Sequence, residues 1–250
     1  KENRISKIKR DLDALYVILP FEEPYYKDKH NFKVQFVGNP LVDVIQESLK
    51  ENDTFRTDQK LDANAPIIAL LPGSRKQEII KMMPTFIEVI ELFPQYKFII
   101  AAAPGLDFEW YQQFLKGQQV LLVQNQTYPL LKNSIAAIVT SGTATLETAL
   151  FRVPQMVCYR SSFLSYQIAK HIITLPFISL VNLIMDKAVV SEILQNEFTV
   201  DRIAEELKLI TESQKRNQLL TAYEQLHSKL SAGGASTKTA VAMVELLRKK

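Results

Sequence analysis

The residues best suited to chemistry lie where apolar runs hand over to charged, helical spacing. In Leu70-Leu71-Pro72-Gly73-Ser74-Arg75-Lys76-Gln77-Glu78-Ile79, a run beginning at Ile67 breaks into a short loop and turns charged. Gly73 permits close backbone approach, and Ser74 with Gln77 has the spacing of a capping box. A helix start carries unpaired N–H groups and partial positive charge, which suits a phosphate. Arg75 adds a planar fork of donors. A capped helix with no ligand fits the same residues. The second handover is Val139-Thr140-Ser141-Gly142-Thr143-Ala144-Thr145-Leu146-Glu147. Here a glycine and hydroxyls precede a helix, and Glu147 lies about one turn in. That composition suits a diphosphate cradle with a carboxylate for ribose hydroxyls, and equally a capped helix whose dipole favours an acid. Neither loop is a Walker or GxGxxG pattern. A third cluster is Phe177–Phe198, where Asn182 is an amide in an apolar stretch. Ser191 is predicted to cap a helix on which Glu192 and Gln195 share a face, and a plain first-turn acid with a solvated glutamine fits the same residues.

The elements that must position these residues alternate regularly. Strands are predicted at Ala14–Pro20, Phe32–Gly38, Ile67–Leu71, Lys97–Ala102, Val120–Val123, Ala136–Val139 and Gln155–Arg160. Helices are predicted at Leu41–Lys50, Glu78–Phe93, Phe108–Lys116, Tyr128–Asn133 and from Thr143. The chain from Phe163 reads as mostly helical, with a Gly233-Gly234 break. Such alternation indicates an α/β fold with a Rossmann-like parallel sheet and flanking helices. The polar stretch from about Glu51 to Asn64 is the best linker. The opening helix is basic, with Ile5, Ile8 and Leu12 on one face and Arg4, Lys7, Lys9 and Arg10 around them. A first residue of Lys1, inside that helix, reads as a fragment or processed chain.

Composition narrows the function. The 250 residues are 47% apolar, enough for a sizeable core, and 30 basic side chains nearly balance 27 acidic ones. Wholesale nucleic-acid binding is therefore not indicated. A single cysteine, Cys158, excludes an internal disulfide and fits a reducing compartment. With no secretory signal and no apolar run of spanning length, a cytoplasmic protein is expected. The three histidines are far apart, and no Asp, His or Cys group has metal-ligand spacing.

Taken together, FVGNPLVD, LLPGSRKQEI, SGTATLETAL…VPQMVCYR, ISLVNLI and VVSEILQ resemble the lipid A disaccharide synthase family in order and spacing. The resemblance runs across the whole chain. It implies an inverting, two-Rossmann-domain (GT-B) glycosyltransferase. The family transfers 2,3-diacylglucosamine from UDP to 2,3-diacylglucosamine 1-phosphate, giving lipid A disaccharide 1-phosphate and UDP. Residues 1–40 would close the N-terminal acceptor domain, and 41–250 would form the C-terminal UDP-sugar domain. The catalytic base would lie upstream, leaving this chain alone inactive.

By resemblance, Gly73, Ser74 and Arg75 face the diphosphate, with Arg75 catalytic. Ser141, Gly142, Thr143, Ala144 and Thr145 hold the phosphates from the other side, and Glu147 the ribose. Asn125 and Gln126 would reach the uracil or nearby backbone, a role that ordinary loop polarity fits equally, while Asn182, Glu192 and Gln195 would meet the donor sugar or ribose-phosphate. No cofactor or metal is expected. Contact with the cytoplasmic face of the inner membrane of a Gram-negative bacterium follows from the acylated substrates, and a homodimer is possible. Asn39 and Val181 depart from a histidine and a proline common in the family. The rival readings are a UDP-sugar 2-epimerase of the same architecture and a non-catalytic nucleotide-binding module.

Overall fold

The computed structural model describes residues 4–160, 176–230 and 233–248. The first part of the helical reading from Phe163, up to residue 175, lies outside them. The chain divides into two compact units, one of residues 1–50 with 224–250 and one of residues 51–223.

The larger unit is built on six parallel strands: β3 (Ile67–Leu71), β4 (Lys97–Ala102), β5 (Leu121–Gln124), β6 (Ser134–Thr140), β7 (Gln155–Tyr159) and β8 (Ser191–Leu194). Their spatial order is β5-β4-β3-β6-β7-β8. Counted from β3, this is the doubly wound order 3-2-1-4-5-6 of dinucleotide-binding sheets. The chain starts in the middle, winds to one edge, and returns to wind to the other. The reversal opens a crevice between the carboxyl ends of β3 and β6, where Leu71 pairs with Val139.

Burial explains why these segments are strands. Every residue of β3 is buried, as expected for a central parallel strand covered on both faces. The Lys76–Glu91 helix buries Ile79, Met82, Met83, Phe86, Ile87 and Val89 on one stripe. Pro84 interrupts its hydrogen bonding on the exposed side, where the bereft Ile80 carbonyl lies on a solvent-facing turn. Phe86 meets Phe198 edge-on at 5.5 Å. Cys158 is fully buried in β7, and desolvation, aided by the Glu206 charge, pushes its thiol pKa up and keeps it protonated.

The polar stretch expected to be a linker is instead anchored in the larger unit. Phe55 is buried at the start of a short helix (Phe55–Asp58). Arg56 donates to the Asn133 side chain at 2.8 Å, to the Asn133 carbonyl at 3.1 Å, and to the carbonyls of Asp62 and Ala65. One aromatic and one arginine hold a segment whose average composition looked solvated.

In the smaller unit, β1 (Tyr16–Val17) and β2 (Gln35–Phe36) pair in parallel over two residues each, far shorter than the seven-residue strands expected there. Asn39, where the resemblance leads one to expect histidine, is buried just ahead of the Pro40–Lys50 helix. Its side-chain oxygen accepts from the Leu41 N–H at 3.0 Å, and its amide donates to the Ile18 carbonyl. The departure therefore supplies a helix cap. The Asp43 carboxylate accepts from the Gly234 and Ala235 N–H groups, fixing the start of the Ala235–Arg248 helix after the glycine pair. In the opening helix, Arg10 is paired with Asp11 at 2.6 Å, and Lys9 donates to the His30 carbonyl.

Candidate functional site

A cleft of about 380 Å³ occupies the crevice between β3 and β6. Gly73, Ser74, Arg75 and Glu78 line one wall, and Ser141, Gly142, Thr143, Ala144 and Glu147 the other. The carboxyl end of β4, Ala101 to Pro104, and Thr127 complete it. Two segments distant in sequence thus meet at the topological switch point, where ligands of open α/β sheets bind.

The two walls are built differently. After β3 the helix begins at Lys76, one position later than a capping box on Ser74 requires. Arg75 takes the cap position, its carbonyl accepting from the Glu78 and Ile79 N–H groups, with no side-chain cap bond. The capping box is corrected accordingly: Ser74 is exposed at the mouth of the cleft. Gly73 adopts φ +105°, where an added Cβ would lie 3.2 Å from a Glu78 carboxylate oxygen and 3.3 Å from Thr140 Cγ2. The backbone conformation favours glycine there, and an added Cβ would crowd both neighbours. The Arg75 side chain is 78% exposed and bonds Glu78 at 2.8 Å, while Glu78 itself is largely buried. That bond, with the Glu78 charge, raises the Arg75 pKa, so the guanidinium is charged at every working pH.

The wall after β6 turns on Gly142, at φ +157° and ψ −164°, a region nearly confined to glycine. A Cβ on Gly142 would meet no atom within 4 Å, so its backbone is open to a ligand. The Thr143–Leu150 helix follows, and its first two residues, Thr143 and Ala144, line the cleft. Thr145 is corrected from ligand to support. It is fully buried, its hydroxyl donates to the Gly142 carbonyl at 2.8 Å, and its own carbonyl accepts from Gln155. Ser141 donates its hydroxyl to the Ile178 carbonyl at 2.9 Å, which leaves its oxygen able to accept but not to donate. Glu147 lines the cleft and accepts a 2.9 Å bond from the Tyr128 hydroxyl.

Asn125 and Gln126 follow β5 but are not among the residues lining the cleft. Asn125 is exposed at φ +57°, and the Gln126 side-chain oxygen accepts from Gln59 at 3.0 Å.

The third cluster is where sequence and structure part most clearly. Ser191 to Leu194 form edge strand β8, and Gln195–Glu197 a 3₁₀ turn, so Ser191 caps no helix and Glu192 shares no helical face with Gln195. Val189, Val190 and Ile193 are buried beside β7, and their burial outweighs the helical spacing. Ser191 bonds Glu206 at 2.6 Å. Asn182 is 1% exposed and uses all four of its hydrogen-bonding positions internally. Its amide donates to the Val190 carbonyl and to Glu192, and its oxygen accepts from the Val189 and Val190 N–H groups, all at 2.8–2.9 Å. Glu192 in turn accepts from the Ile178 and Ser179 N–H groups. These side chains brace the Leu180–Met185 helix, and through Ile178 they support Ser141. No hydrogen-bonding capacity of Asn182 remains for a sugar.

Sequence reasoning missed Glu78, Thr127 and the Ala101-Ala102-Ala103-Pro104 floor. Three alanines closing a strand were the available signal: small side chains leave room for a ligand. Among the described residues, no three His, Cys, Asp or Glu side chains are grouped so as to hold a metal ion.

Comparison with known proteins decides the family. The model of lipid-A-disaccharide synthetase matches residues 1–245. The chain belongs to that glycosyltransferase family. The lipid-A-disaccharide synthases of Syntrophus aciditrophicus (strain SB) and Hahella chejuensis (strain KCTC 2396) are each 35% identical over 100% of this chain, and that of Myxococcus xanthus (strain DK1622) is 34% identical over 99%. The chain spans 64–67% of the length of these relatives. Among solved structures, a UDP-GlcNAc 2-epimerase from Neisseria meningitidis bound to UDP-GlcNAc has a TM-score of 0.64 at 15% identity, covering 95% of this chain and 62% of that one. The wall teichoic acid polymerase TagF has a TM-score of 0.55 at 15% identity, covering 99% and 59%. These likenesses establish the GT-B type of α/β fold expected for the family.

Proposed function

We propose that this chain supplies the UDP-sugar half of a lipid-A-disaccharide synthase. The full-length protein transfers 2,3-diacylglucosamine from its UDP conjugate to the 6′-hydroxyl of 2,3-diacylglucosamine 1-phosphate. The observation that carries the reading is the cleft at the sheet's switch point. There the opened Gly142 backbone, two helix starts and Arg75 converge from separate segments. Negative charge grows on the β-phosphate as UDP leaves, and fixed donors aimed at that charge lower the barrier. Arg75 and the first N–H groups of the Lys76–Glu91 and Thr143–Leu150 helices supply such donors without a metal ion. Glu147, one turn into the second helix, faces the ribose.

The acylated substrates require work at a membrane surface, and we assign it to the cytoplasmic face of the inner membrane. No helix among the described residues is long and apolar enough to cross a membrane. In the opening helix Arg4 and Lys7 are better placed to meet anionic head groups than Arg10, which is committed to Asp11. A homodimer is compatible with this reading. The likeness to a UDP-GlcNAc 2-epimerase rests on fold at 15% identity and carries no activity to this chain.

A UDP-release assay on the full-length protein tests the assignment. UDP is expected only when the diacylated acceptor is present with the diacylated donor. Interconversion of UDP-sugar epimers without UDP release would refute it.

A further inference from the structure

Tyr128 does not line the cleft, yet it touches the one carboxylate there that the proposed function gives to the ribose. It sits in the first turn of the Thr127–Lys132 helix, immediately after Thr127, which does line the cleft. Its ring packs on Phe151 with centroids 5.0 Å apart, and Phe151 is buried at the carboxyl end of the Thr143–Leu150 helix. Its hydroxyl reaches Glu147 Oε1 at 2.9 Å. The ring is thus held at a tilt against the C-cap residue of that helix while its tip holds another residue of it. Phe151 and Glu147 are four apart, one turn, so the ring lies along a single helical face. Burial and the neighbouring Glu147 push the Tyr128 pKa up, which keeps the hydroxyl protonated and donating.

An ionised carboxylate only accepts, and its two oxygens can serve two partners. With Oε1 fixed by Tyr128, rotation of the Glu147 carboxylate is restrained and Oε2 is the oxygen left for a ligand. We propose that Tyr128 is a positioning residue, which fixes Glu147 so that its second oxygen accepts from a ribose hydroxyl and makes the cleft select ribonucleoside over deoxyribonucleoside diphosphates. The proposal rests on the reading of the cleft as a UDP site. The competing account is a plain tertiary contact between two helices, which would stabilise the fold and leave nucleotide selection alone.

Tyr128→Phe removes one oxygen and leaves the packing on Phe151 intact. Calorimetry with UDP and 2′-deoxy-UDP on wild type, Tyr128→Phe, Glu147→Gln and the double variant separates the accounts. Binding stoichiometry reports the folded fraction of each. Glu147→Gln is expected to weaken UDP binding about 10- to 150-fold, the range for a hydrogen bond to a charged group. Tyr128→Phe should weaken it roughly three- to tenfold and shrink the preference for UDP over 2′-deoxy-UDP. In the Glu147→Gln background the tyrosine change should add little, because the group it positions is already altered. If Tyr128→Phe lowers only the melting temperature and keeps the wild-type ratio of UDP to 2′-deoxy-UDP affinity, while Glu147→Gln changes that ratio, the positioning role is wrong and the UDP reading stands. If Glu147→Gln leaves UDP binding untouched, the ribose assignment fails, and the positioning role fails with it.

Discussion

Arg75→Ala in the full-length protein is expected to lower kcat by about 10²–10³-fold, the usual cost of removing one donor to developing charge. The effect on binding of the UDP-sugar should be smaller. The diphosphate is already anionic in the ground state, but its charge rises further as the glycosidic bond breaks, and only the differential interaction accelerates the step. The geometry favours such a role. The guanidinium is exposed at the mouth of the cleft, and its bond to Glu78 engages Nη1, leaving the rest of the fork free to address a ligand. Arg75→Lys should recover only part of the activity, since an ammonium keeps the charge and loses the planar fork. A loss confined to KM, with kcat intact, would mean that Arg75 merely holds the substrate.

Asn182→Ala is the change expected to destabilise the larger unit most among the residues first read as ligands. It strips partners from the Val189 and Val190 N–H groups, the Val190 carbonyl and a Glu192 oxygen at a site that is 1% exposed. Leaving buried polar groups unpaired costs about 1–3 kcal/mol each, so a total loss of at least roughly 3 kcal/mol is expected in a denaturant titration. Asn182→Asp should be no milder, because a carboxylate there would set an acceptor against the Val190 carbonyl and a like charge against Glu192. UDP affinity per folded molecule should stay near the wild-type value in both variants. Normal stability with lost UDP binding would return Asn182 to the ligand shell.

These two residues show what the sequence could and could not reveal. Gly73, Arg75 and Gly142 were legible because each sits just beyond an unmistakably apolar strand, and the strand order then brings their ends together. Periodicity also located the Lys76–Glu91 helix within two residues at each end. Asn182 was legible as unusual, an amide among apolar residues, but its purpose was not. A saturated brace and a ligand contact demand the same residue type, and only the positions of the Val189, Val190 and Glu192 partners distinguish them. β8 failed for a related reason. Four residues at a sheet edge carry too short a pattern to separate period two from period 3.6, and pairing with β7 decides. The Phe55 and Arg56 anchor was hidden because segment composition averages away single buried side chains.

The central claim, that the cleft between β3 and β6 receives the UDP part of a nucleotide sugar, is tested most directly by titrating this chain with UDP and with ADP. The account predicts saturable UDP binding, clearly tighter than ADP binding, and its loss when the opening at Gly142 is filled by Gly142→Val in a variant shown to remain folded. Equal affinity for the two nucleotides, or UDP binding that survives a blocked cleft, would contradict it.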